Sequence, residues 1–111
     1  MSFFDSEVVR AEMTEISELQ EDVYRNVFEF SKMNREEQLF HVGLLEKLIE
    51  KQKIFYARAK LSDDPEAKSV VDTMKQGVIM LGATPDTSIE KMFEELVQKV
   101  ASMKRQTEAG G

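Results

Sequence analysis

The only histidine in the chain is His41, and Glu37 precedes it by four residues. On a helix that spacing puts an imidazole and a carboxylate on one face, where they could share a metal ion. A di-iron centre needs more: a Glu-x-x-His unit from each of two helices, with further glutamates. Gln38 stands three residues before His41, and there is no second histidine. The di-iron reading therefore fails on ligand count. Helix one carries a second candidate set, Glu12, Glu15, Glu18, Glu21, Asp22 and Glu29. Paired carboxylates catalyse when burial drives their pKa values apart. These fall around the polar side of an apolar stripe, where water equalises them. They read as a solvated face or as an acidic docking surface, centred on Glu15, Glu18 and Asp22.

A third set is basic. Lys47, Lys51 and Arg58 share one helix face at spacings of four and seven, with Lys53 and Lys60 on a neighbouring line. Such a face can contact phosphate. It can equally offset the acidic helix before it, and no aromatic platform for stacked bases interleaves it. The chain has no cysteine. That removes disulfides, thiolate nucleophiles and cysteine-held zinc or iron–sulfur sites. There is no glycine-rich phosphate loop and no nucleophile motif. The expectation is a protein that is not an enzyme, with no catalytic, metal-binding or cofactor-binding residues.

The elements that must position these groups are helices. The chain has 111 residues, 41% hydrophobic and 32% charged, with two prolines and five glycines. That length fits one domain, and such sparse punctuation argues against β structure. From Asp5 to about 32, Val9, Ile16, Val23 and Phe30 recur every seven residues, with Leu19, Met13 and Val27 widening the stripe. This predicts one long helix, capped by Asp5, with Phe4 and Val9 forming a hydrophobic staple. Asn34 and Glu37 form a capping box for a second helix to about 60. Its apolar residues spread beyond one stripe, Phe40, Leu44, Ile54 and Tyr56 among them, which calls for more than one neighbour. Asp64-Pro65 opens a short third helix to about 81, closed by Gly82. Thr84-Pro85 opens a fourth by the same logic, with Thr87 as a later possible cap, and Ile89, Phe93, Leu96, Val100 and Met103 mark its buried face. The methionines at 33, 74, 80, 92 and 103 are expected to fill core gaps. Residues 106–111 read as a disordered tail. The predicted fold is all-α and bundle-like: a long antiparallel hairpin, a short third helix and an amphipathic fourth, as a single domain over 1–105.

Charge supports the hairpin. Residues 5–32 hold eight acids and three bases, whereas residues 34–61 hold four acids and six bases. The net charge is −6 and the isoelectric point about 4.9, so general attraction to nucleic acid is not expected. No apolar run approaches the roughly 18 residues of a membrane span. The opening Met1-Ser2-Phe3-Phe4-Asp5 lacks the basic and apolar stretches of a signal peptide. A cytoplasmic protein is expected. Phe3 and Phe4 stand before the first cap. They either fold back on the helix end or offer an aromatic anchor to a protein partner or a second copy. Unburied apolar stripes favour a homodimer.

The residues from Met1 to Val9 resemble the start of small helical proteins of cyanobacteria and their phages, grouped as the domain-of-unknown-function family numbered 1825. The resemblance continues in Asn34-Arg35-Glu36, in Ile54-Phe55 with Leu61-Ser62-Asp63-Asp64, and in Leu81-Gly82 with Thr84-Pro85. It ends in Met92-Phe93 and Met103-Lys104. One departure is the stretch Asp86 to Lys91, about one helical turn longer than the family's joint there. The resemblance implies a cyanobacterial or cyanophage cytoplasmic protein and supplies no catalytic residues. The functional expectation is a regulator or adaptor that binds a host or cellular protein. The alternative is a nucleic-acid-associated factor using the basic face of the second helix.

Overall fold

The computed structural model describes residues 2–85 and 88–110. Four α-helices carry the fold: α1 (Glu7–Asn26), α2 (Arg35–Lys60), α3 (Pro65–Met80) and α4 (Ile89–Ala109). Single 3₁₀ segments, Phe3–Asp5 and Val27–Lys32, flank α1. No strand occurs among the described residues, and the all-α bundle is the architecture.

Helix α2 is the axis. It packs against α1, α3 and α4 in turn, which explains why its buried residues surround it rather than forming one stripe. The molecule measures 51 × 28 × 18 Å. It is longer than a sphere of equal chain because α2 alone, at 1.5 Å per residue, spans about 39 Å. Two apolar cores are strung along it. The larger joins Val23, Val42, Leu48, Val78, Met92 and Leu96. The smaller joins Phe3, Val9, Phe55, Ala59 and Ala67.

Capping sets the helix starts. The Asn34 box is formed, with Asn34 Oδ1 accepting from Glu37 N–H at 2.9 Å and Glu37 Oε1 accepting from Asn34 N–H at 3.2 Å. Asp64 caps α3 through Glu66 N–H at 2.9 Å, with Pro65 at the first helical position. Gly82 closes α3 at φ 113°. Its N–H donates to Ile79 and the N–H of Ala83 donates to Val78, at 3.0 and 3.1 Å. This is a Schellman closure, which needs the left-handed residue that glycine supplies.

Six expectations are corrected. Ser6, not Asp5, caps α1, its hydroxyl accepting from Val9 N–H; Asp5 belongs to the preceding 3₁₀ turn. Phe4 and Val9 therefore do not occupy the staple positions. The first helix does not run unbroken to residue 32. Asn26 donates its side-chain amide to the carbonyl of Asp22 at 2.8 Å, and beyond it the chain tightens into the 3₁₀ segment. The fourth helix starts at Ile89, capped by Ser88. Thr84 is not the cap because its hydroxyl and N–H donate to Glu95, at 2.8 and 3.2 Å. Thr87 lies outside the described residues. The tail is helical to Ala109 rather than disordered from 106, and Arg35 donates to the carbonyl of Glu108. Met80, in the last turn of α3, is exposed instead of filling the core.

Candidate functional site

The charged faces of α1 and α2 meet each other. Lys51 pairs with Glu15. Arg58 grips Glu12 through Nη2 at 2.6 Å and Nε at 3.1 Å. Antiparallel packing brings these distant positions together, because the register fixed by the apolar stripes also fixes the polar flanks. The Lys51 ammonium holds the Glu15 carboxyl below its ordinary value. Asp22 pairs with Arg25 along its own helix at 3.5 Å. Glu18 is exposed. Thus two of the three basic-patch residues, Lys51 and Arg58, are spent on the acidic helix, and Lys47 also lies close enough to lower Glu15.

A second charged cluster ties α2 to α4. Lys60 and the Tyr56 hydroxyl both donate to Glu90 Oε1, at 2.7 and 2.8 Å. Together they pull the Glu90 carboxyl down to about 2. Lys60 and Glu90 are more than half exposed, so their pairing is a surface clamp worth little in stability.

Phe3 is not an exposed anchor. Its ring packs edge-on against Phe55, with centroids 5.7 Å apart, and against Phe4 at 5.6 Å. Its N–H donates to Asp64 Oδ2 at 2.6 Å, so one aspartate both caps α3 and clamps the N-terminus. Phe4 is half-buried against the smaller core. Both aromatics fold back on the helix end, the bland alternative that the sequence left open.

His41 is buried. Its ring lies 5.5 Å from that of Phe30, and its Nδ1 has no hydrogen-bond partner. Burial lowers its pKa, so the neutral ring is favoured. Among the described residues no three of His, Asp and Glu converge as metal ligands.

Two features had no sequence signal. The first is the joint between α1 and α2. Phe28 is 87% exposed and Phe40 71%, with Val27 also in water. Phe28 lies off the heptad stripe, and Phe40 was expected to pack on a neighbour. A shallow depression beside Phe40 is lined by Asn26, Met33, Leu44 and His41. The second is a cavity of about 500 Å³ framed by α1, α2 and α3. Gln52 lines it, 2% exposed, with Oε1 unpartnered. Glutamine in the middle of a helix gives no warning of burial.

No helix among the described residues is long and apolar enough to cross a membrane. One family model, described as a domain of unknown function (DUF1825), matches residues 1–107. No curated protein and no solved structure matches the chain.

Proposed function

The chain belongs to the DUF1825 family of domains of unknown function, and from that premise we propose that it is a non-enzymatic interaction protein. In this reading it forms a homodimer and binds a protein partner as a regulator or adaptor. It works in the cytoplasm of a cyanobacterium or of a phage-infected cell, as the family resemblance implies. The observation that carries the reading is the pair of solvent-facing rings, Phe28 and Phe40, at the α1–α2 joint. Large aromatics left in water gain the most from association. A two-fold dimer would present the same patch from each copy. The ends of the interface move accordingly from Phe3 and Phe4, which pack on the smaller core, to Phe28 and Phe40.

The acidic helix contributes less than its composition suggests, since Glu15 and Asp22 already have partners. The nucleic-acid alternative loses support for the same reason: Lys51 and Arg58 are already paired with carboxylates of α1.

The test is light scattering after gel filtration at tens of micromolar chain. The native protein should run at twice its 12.8 kDa mass. A Phe28→Ser/Phe40→Ser variant should run as a monomer with unchanged helical circular dichroism, because exposed positions contribute within about ±0.5 kcal/mol to folding. A monomeric native protein at that concentration rejects self-association.

A further inference from the structure

The cavity between α1, α2 and α3 lies at the seam between the two apolar cores. Ile16 and Met74 line it and touch both cores. Its volume, about 500 Å³, falls within the 300–1,000 Å³ or so of small-molecule sites. Phe4, Phe55 and Val70 supply further apolar wall. Gln52, on the central helix, is the buried polar group of that wall, and its Oε1 accepts no hydrogen bond. A buried amide oxygen without a donor is unfavourable, and a ligand donor corrects it.

We propose that this cavity binds a small neutral molecule with an apolar body and one hydroxyl or amide N–H, donated to Gln52. The charge pattern selects neutrality. Glu66 is the single charged residue lining the cavity, and it is exposed, so an anion meets repulsion and no cationic partner. A cation would lose its hydration against apolar walls with no buried carboxylate to replace it. Gly77 of α3 keeps the space open. A Cβ built there would lie 3.9 Å from Gln20 Nε2 and 4.0 Å from Gln52 Nε2, so any larger side chain grows toward the amide that the ligand would use.

The test uses the full chain and three probes of one size: 2-naphthol, naphthalene and 2-naphthoate. Binding is followed by fluorescence titration at neutral pH. Naphthol should bind at least about tenfold tighter than naphthalene, and naphthoate should bind weakest. Gln52→Met, which keeps the length and removes the acceptor, should hold naphthalene affinity and shrink the naphthol preference below about threefold. Gly77→Leu should abolish binding of both neutral probes without lowering the melting temperature. It also covers the case in which Gln52→Met does not fold. Four results overturn the proposal: equal affinity for naphthol and naphthalene, tightest binding of naphthoate, full binding by Gly77→Leu, or no binding by the native chain. Dissociation of a native dimer on adding naphthol would also overturn it, by showing that a second copy occupies this wall.

Discussion

At the residue scale, the most informative group is His41. Chemistry-minded reading puts it beside Glu37 as half of a metal pair. The structure instead buries it against Phe30 with Nδ1 unsatisfied. Burial lowers its pKa from 6.5. The unfolded chain therefore binds a proton that the folded chain refuses once the pH falls below 6.5. Stability is greatest above that value and declines as pH drops from it towards the lowered native value. The carboxylates that are held below their ordinary range add losses of the same sign, beginning only near 4.5 and continuing towards the value of about 2 at Glu90. Urea midpoints at pH 7.5 and 5.5 separate the two effects. The native chain should lose stability across that interval, and His41→Leu should lose much less. Equal midpoints for the native chain at both values would show that His41 accepts its proton without cost.

At the element scale, caps decide where helices begin and end, and they show how far local sequence reaches. Asn34, Asp64-Pro65 and Gly82 act as read, because each bond spans only a few residues. Asp5 and Thr84 look equally capable, yet neither caps a long helix. Asp5 is drawn into the Ser2 box, accepting from Ser2 N–H at 3.0 Å. Thr84 is drawn to Glu95 across eleven residues. A cap is a competition for one short side chain, and tertiary partners can win it. Two variants follow from this. Asn34→Ala should cost about 1 kcal/mol. Gly82→Ala should cost roughly 1–2 kcal/mol, since the strain of φ 113° falls on a Cβ whatever the surrounding space. Both are read from denaturant midpoints at constant m. An unchanged Gly82→Ala midpoint would mean that the Schellman turn relaxes freely. The α1–α2 ion pairs belong to this scale too. Opposite net charges on the two segments foretold a hairpin, but only the antiparallel register shows that Lys51 meets Glu15 and Arg58 meets Glu12.

At the scale of the whole molecule, α2 carries the fold because three helices share it. Leu48 is fully buried there. Leu48→Ala should destabilise by about 2–5 kcal/mol through lost contacts and the void left behind. Leu61→Ala, at a residue of the same type that stands in water, should change stability by no more than about 0.5 kcal/mol. Thermal or urea unfolding of both variants checks the contrast. If the two leucines cost alike, α2 is not the common support. The molecule has two cores rather than one, and the cavity lined by Gln52 lies where they meet. Short side chains line it at Ser17, Gly77 and Thr73, and side chains that do not reach across leave space between packed helices.

The sequence by itself determined the class, the number of long helices, the ends of α2 and α3 and the inward face of each helix. Val9, Val23, Leu48, Val78 and Leu96 are buried as their spacing predicts, because hydrophobic periodicity is a local property of the chain. Only the tertiary structure decided which side chains at the margins of those faces found a neighbour. Phe3 did, against Phe55 from 52 positions away. Phe28, Phe40 and Met80 did not. Periodicity gives the direction in which a residue points, whereas burial requires another segment to arrive there. That arrival is set by how whole helices cross, and it created the exposed joint, the orphaned Gln52 and the cavity beside it.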